Sequence, residues 1–364
     1  MPVPAIAVYV SGHGYGHSTR TAEVLREVRA LAPEVPIVVV GTTAERIFEQ
    51  TAGAGLAFRN ERVDVGLVQR GALVIDVEAT LAAWDEFQRD AQARVAREAA
   101  WLRQSGARVV LADIPPLAFA AAQAAGLPAV GLSNFSWDWI YRHLARHAPG
   151  LARAAEAAAR DYATAALLLE LPFAGDLSAF PRREQIPLVA RRASLTRQEG
   201  RRRLGLGSAP AVLVSFGGLG MRGVDLSVLA PLRDVQFLTE PTTAPAPANV
   251  RVIAPAELSA LGMGYVDLVA SVDVVVTKPG YGIVSEAISA RTRMVYTERG
   301  DFPEYPILVQ GMSRWLPAVH VTNEDLRAGE LRGAIERVLA LPFPDPPDLG
   351  GAKVAAQRLL ALAS

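Results

Sequence analysis

The chain has 364 residues, 51% of them hydrophobic, and balances 37 lysines and arginines against 37 aspartates and glutamates. That length exceeds what one hydrophobic core usually organises, so two domains are expected, and the apolar content argues against extended disorder. The charge balance gives no global pull towards nucleic acid, and the absence of cysteine excludes disulfides, thiolate metal sites and a cysteine nucleophile. MPVPAIAVYV lacks a basic segment followed by a long apolar one, so no signal peptide is expected. The Ala-rich stretches are broken by Gln123, Asp161 and Glu170 before reaching the roughly 20 apolar residues of a membrane span. The expectation is a cytoplasmic protein with small-molecule partners and no integral membrane segment.

Short apolar, β-branched runs alternate with longer amphipathic stretches, the pattern of repeated βα units on a parallel sheet. Ala5–Val10 reads as a buried strand, followed by a glycine-rich turn and a helix from about Ser18 to Leu31. That helix carries Ala22, Leu25, Val28 and Ala32 on one face. Further strands are expected at Pro36–Val40, Arg108–Ala112 and Pro128–Leu132, with one long helical stretch from about Ala79 to Gln104. Ala166–Leu171 reads as the last strand of this half, which spans residues 1–175.

From Pro172 to about Arg203, prolines and clustered arginines replace the periodicity, so residues 176–205 read as the interdomain connection. A second series, within residues 206–345, runs through Ala211–Ser215, Val235–Leu238, Arg251–Ile253, Val272–Thr277 and Arg293–Thr297. The tail, residues 346–364, is a proline-rich connector and one short amphipathic helix. No repeat between the halves is visible. The expected fold class is α/β: two facing Rossmann-like, doubly wound parallel sheets, with ligands at the carboxyl ends of the strands and a cleft between.

Five segments carry candidate chemistry. In Ser11-Gly12-His13-Gly14-Tyr15-Gly16-His17, Gly14 and Gly16 let backbone N–H groups approach a ligand at a helix N-terminus, Tyr15 is a substrate-side candidate, and His13 is either that or a residue capping or packed against the helix. His17 reads either as a reactive imidazole or as a residue packed against the helix. Asp113, at the end of a strand, either orients such a histidine or caps the helix that begins near Pro116. Asn134 and Trp137, in Ser133–Trp139, suit a sugar or an apolar acceptor, the alternative being a core aromatic, more so for Trp139 than for Trp137. Ser215, Gly217 and Gly218 form a turn that either presents N–H groups to a diphosphate or is a plain tight turn. In Lys278-Pro279-Gly280-Tyr281-Gly282, a helix is expected to start near Gly282 with Glu286 in its first turn. Lys278 and the helix N-terminus then face phosphate, and Glu286 either binds ribose hydroxyls or rests on a solvated face.

KPGYGIVSEAISARTRMVYTERGDFPEYPILVQ resembles the donor-binding segment of GT-B glycosyltransferases, with likeness to the peptidoglycan N-acetylglucosaminyltransferase and to the signature box of plant UDP-glycosyltransferases. The resemblance implies that Glu286 binds ribose, that Gly280, Tyr281 and Gly282 lie near the diphosphate, and that Lys278 replaces a phosphate-contacting histidine. The plant box ends in an Asp-Gln pair that reads the donor sugar, whereas here only Asp301 and Glu304 stand nearby as substrate-side candidates. GHSTRTAEV and VVLADIPPLAFAAAQAAGLPAVGLS resemble segments in which a histidine, here His17, faces the reacting groups and an aspartate, here Asp113, supports it. YVSGHGYGHSTR, SNFSWDWIY, IPLVARR and KPGYGIVSEA together resemble the glycosyltransferase-like amino-terminal domain of plant-type L-arabinokinases. His17 followed by Arg20 is also similar to a pattern of nucleotide-sugar hydrolases.

These resemblances imply an inverting transferase with an acceptor-side N-terminal half, a donor-binding C-terminal half and a terminal helix packed back on the first. His17 would be the base and Asp113 its partner. No cofactor is expected beyond a nucleotide diphosphate sugar as co-substrate, with UDP the default by resemblance. The lack of an Asp-x-Asp motif implies no metal at the donor. A hydrolase or epimerase, favoured by Arg20, and a non-catalytic nucleotide-sugar sensor are the alternatives.

Overall fold

A computed structural model describes residues 5–70, 74–216, 225–242 and 245–363. The first sheet contains β1 (Ala5–Val10), β2 (Ile37–Val40), β3 (Ala57–Arg59), β4 (Ala107–Asp113), β5 (Ala129–Ser133), β6 (Leu167–Glu170) and β7 (Arg183–Gln185), in the order β3-β2-β1-β4-β5-β6-β7. The second contains β8 (Ala211–Val214), β9 (Gln236–Thr239), β10 (Val250–Val252), β11 (Val274–Thr277), β12 (Arg293–Tyr296) and β13 (Ala318–His320), in the order β10-β9-β8-β11-β12-β13. All pairings within both sheets are parallel. Helices cover both faces of such sheets, which is why β1, β5 and β8 are buried along their whole length and β1 and β8 read as unbroken apolar runs.

Each strand order reverses once, between β1 and β4 and between β8 and β11. At such a switch point the connections leave in opposite directions and open a crevice beyond the strand ends. The chain therefore has two crevices, one above Val10 and Asp113, the other above Val214 and Thr277.

The helices of the first half are α1 (Tyr15–Leu31), α2 (Glu45–Ala52), α3 (Val77–Gln88), α4 (Ala91–Gln104), α5 (Pro116–Ala125), α6 (Trp137–Leu144) and α7 (Leu151–Tyr162). The single helix expected over residues 79–104 is two. It breaks at Asp90, which leaves helical geometry (φ −119°, ψ 24°) and accepts a 2.6 Å hydrogen bond from Arg94. The second half adds α8 (Arg197–Arg203), α9 (Pro255–Ala260), α10 (Tyr265–Ser271), α11 (Tyr281–Ala290), α12 (Glu304–Met312), α13 (Asn323–Ala328), α14 (Arg332–Ala340) and α15 (Gly351–Ala363).

The expected connection at residues 176–205 needs correcting. β7 lies inside it as the edge of the first sheet, and α8 packs on α10 of the second half. Between them Ile186, Leu188, Val189 and Ala190 enter a core shared by both halves, together with Val284 and Ala287 of α11 and Ala355 of α15. The crossing strand is thus held by burial. The terminal helix α15 packs on α1 and β4. Among the described residues no helix is long and apolar enough to cross a membrane.

Candidate active site

In the first crevice, Gly14 ends the turn after β1 with φ 79°, a conformation that favours glycine, and α1 starts with no side-chain cap. This geometry sets His17 in the first turn of α1, beside the end of β4. Its Nδ1 lies 2.7 Å from Asp113 Oδ1, and Asp113 is fully buried. Two further side chains close on the same carboxylate. Arg20 donates from Nε to Oδ2 at 2.7 Å and from Nη2 to Oδ1 at 2.5 Å, and the Thr21 hydroxyl donates to Oδ2 at 2.8 Å. Burial pushes the Asp113 carboxyl up, but Arg20 and His17 outweigh it and hold it down at about 2. An ionised carboxylate only accepts, so His17 Nδ1 carries the proton and donates it to Asp113. In the neutral ring Nε2 is then the nitrogen with the free lone pair, the form a general base requires. Asp113 does not cap α5, whose cap position is Pro115, so the capping alternative falls.

Arg20 extends the network across the cleft. Its Nη1 donates to Asn134 Oδ1 at 2.8 Å, and Asn134 Nδ2 donates to Glu304 Oε1 of α12 at 2.7 Å. Glu304 Oε2 in turn accepts from Arg299 Nη1 at 2.6 Å. The Arg20 guanidinium also lies 5.2 Å from the centre of the Tyr281 ring, at the start of α11. These groups are almost all buried, so the charges must be paired and hydrogen-bonded to be tolerated. One continuous polar chain therefore joins His17 to the second half.

The second crevice lies directly opposite. The tripeptide Gly-Tyr-Gly opens both facing helices, as Gly14-Tyr15-Gly16 and Gly280-Tyr281-Gly282, a correspondence the sequence periodicity does not reveal. The two turns meet: a Cβ built on Gly282 would lie 3.2 Å from Gly16 Cα and 3.3 Å from Thr19 Oγ1. Like α1, α11 has no side-chain cap, which leaves first-turn amides for an anion. Burial, with the charge of Arg299 as a lesser cause, brings the Lys278 ammonium down to about 8. Ser215 hydrogen-bonds Tyr265 at 2.7 Å and Glu240 at 3.1 Å.

No protein-family model matches the chain. An L-arabinokinase of Arabidopsis thaliana is 30% identical over 365 residues, a match taking in 97% of this chain and 34% of that protein. The chain thus spans about a third of that relative's length. Among solved structures it is similar to the glycotransferase of kitacinnamycin, with TM-score 0.60 and 20% identity, covering 100% of this chain and 94% of that one. It is also similar to UGT2 of Phytolacca americana, complexed with UDP-2-fluoro-glucose and pterostilbene, with TM-score 0.59 and 13% identity over 100% and 94% of the two chains. These neighbours are GT-B glycosyltransferases. The chain has the GT-B fold.

Within this GT-B frame several expected ligand contacts are occupied by the protein. Trp137 is fully buried, stacked on Tyr141 at 5.8 Å with its indole Nε1 donating to Asp64 at 3.1 Å, so it offers no face to a sugar. Trp139, expected as the better core residue, is the more exposed of the two. Asn134 bridges Arg20 and Glu304. Asp301 binds His143 and His147, each at 2.8 Å, and also Arg146, all from the first half. Asp301 and Glu304, the substrate-side candidates nearest the place of the plant pair, are thus both engaged in closing the interface. Tyr281 is buried, its hydroxyl accepting from Val189 N at 3.2 Å. Glu286 falls in the second turn of α11, not the first. It is buried, not solvated, and accepts from Arg191 Nε at 2.7 Å on Oε1.

Other expected residues remain at the cleft. Tyr15 is half exposed at the mouth of the first crevice. His13 accepts from Leu67 N at 3.3 Å, and burial pulls its imidazole down to about 3, helped by the charges of His17, Arg299 and Lys278. It is therefore neutral. Gly217 and Gly218 lie outside the described residues. Sequence reasoning missed Asp64, which approaches the glycine turn at Ser11 and Gly12, and Arg299. Their signals were a lone carboxylate and a lone arginine in irregular segments, with no periodicity to mark them.

Proposed function

We propose that the chain transfers a sugar from a nucleoside diphosphate sugar to an acceptor hydroxyl, and the observation that carries this is the buried His17–Asp113 pair facing the α11 turn. The acceptor O–H gives its proton to His17 Nε2 while its oxygen attacks the anomeric carbon from the face opposite the leaving group. The bond to the diphosphate breaks with inversion, and the departing charge goes to Lys278 and the first-turn amides of α11. UDP as the nucleotide is supported by the UDP-2-fluoro-glucose bound in the similar Phytolacca americana structure. Nucleotide release from purified protein tests the reading. Acceptor-dependent release supports transfer, whereas release without acceptor reveals a hydrolase.

Lys278 supplies a pH signature. Its ammonium is charged below about 8 and an arriving diphosphate stabilises that form, so binding takes up a proton between about pH 8 and 10. Affinity for UDP is expected to fall as pH rises through 8. Lys278→Arg should remove the fall, because a guanidinium stays charged. Calorimetry at several pH values, in buffers of different ionisation enthalpy, checks both.

A second reading is favoured by Asp301 and Glu304, since the chain lacks the Asp-Gln pair of the plant box and these nearby residues are engaged across the interface. In this reading the chain binds a nucleotide sugar without turnover and acts as a sensor. Tight binding with no product in the release assay would identify it.

A further inference from the structure

Arg299 lies in the loop between β12 and α12, and three contacts fix it over the turn that opens the second crevice. Nη1 donates to Glu304 Oε2 at 2.6 Å and to Pro279 O at 3.4 Å. The guanidinium stacks 4.1 Å from the centre of the Phe302 ring. A Cβ on Gly280 would stand 3.9 Å from Nη1, so the head group borders the Lys278-Pro279-Gly280 turn itself. Its side chain is 15% exposed. Its hydrogen bonds to described residues leave from Nη1, so Nε and Nη2 are the donors it has to offer a ligand. A planar fork held on one edge and open on the other matches two oxygens of one phosphate. Arg299 answers the buried Glu304 carboxylate on one side, and on the other its charge is felt by Lys278, so two cations border the same turn.

We propose that Arg299 is the second cation of the phosphate subsite, taking the terminal phosphate of a nucleoside diphosphate through Nε and Nη2. Glu304 is its positioning residue, fixing the guanidinium through Nη1. Because Glu304 also accepts from Asn134, the arginine that grips the phosphate is anchored to the half that carries His17. The assignment rests on the donor-site reading above, but its test separates from that reading.

Calorimetric titration of the full chain with UDP and with UMP, which lacks the terminal phosphate, provides the test. Arg299→Gln should weaken UDP roughly 10- to 100-fold, the effect of losing hydrogen bonds to a charged group, and leave UMP within a few-fold. Arg299→Lys should fall between, keeping charge but losing the fork. Unchanged UDP affinity in Arg299→Gln overturns the assignment. So does an equal loss for UDP and UMP, which would mean that Arg299 shapes the turn without touching phosphate. If the wild-type chain binds neither nucleotide, the donor reading itself fails and takes this assignment with it.

Discussion

His17→Ala is expected to lower turnover by roughly 10²–10⁴-fold, the usual contribution of a positioned general base, while UDP affinity stays nearly intact. The separation follows from geometry. His17 belongs to α1 and is held by Asp113 of β4, whereas Lys278 and the α11 turn belong to the opposite sheet. Removing the imidazole deletes the proton acceptor without disturbing the expected donor contacts. Asp113→Asn is a less clean partner than the sequence implied, since it also strands Arg20 and Thr21, which share that carboxylate. Its loss of turnover should therefore come with a larger loss of stability than His17→Ala shows, since that variant leaves Arg20 and Thr21 on the carboxylate. Abolished UDP binding in His17→Ala would make His17 a ligand contact, and unchanged turnover would end its role as base.

Arg20→Met should lower stability by about 3–5 kcal/mol, because it leaves Asp113 buried without its strongest partner. Asn134 and Ser133 lose a donor at the same time. In a domain of roughly 150–250 residues that corresponds to a fall in Tm of roughly 6–20 °C. The pH dependence has a definite sign. With Arg20 in place, the folded Asp113 carboxyl sits at about 2, below its unfolded value of about 3.9. The stability it contributes is fully present above roughly pH 4 and is lost as pH falls through 2. Without Arg20 burial dominates and raises the carboxyl, so the variant gains stability as that group takes up a proton. The Tm gap between wild type and Arg20→Met should thus narrow from pH 7 to pH 3. Arg20→Met combined with Asp113→Leu should recover part of the loss, because an apolar pair carries no stranded charge. Thermal unfolding measured across pH decides the matter, and equal Tm values at pH 7 would show that Arg20 is not what holds Asp113.

The central strands were legible because burial on both faces leaves no room for polar residues. Ala5–Val10 and Ala211–Val214 could be read from composition alone. The strands that were not legible, β3, β7 and β13, are three-residue edge strands with half-exposed side chains, where no hydrophobic pattern is enforced. At the site, the glycine turn of β1–α1, His17 and Asp113 carried local signals, since a turn before a helix and a carboxylate at a strand end are features of neighbouring residues. The partners were another matter. Arg20 to Asn134, Asn134 to Glu304, Asp301 to His143 and His147, and Arg191 to Glu286 all join segments at least 95 residues apart. A carboxylate looks the same in sequence whether it meets a ribose, a histidine or an arginine. Only the packing of α1, α11, α12 and the crossing strand around one shared core decides which polar groups are buried together, and burial is what forces them to pair.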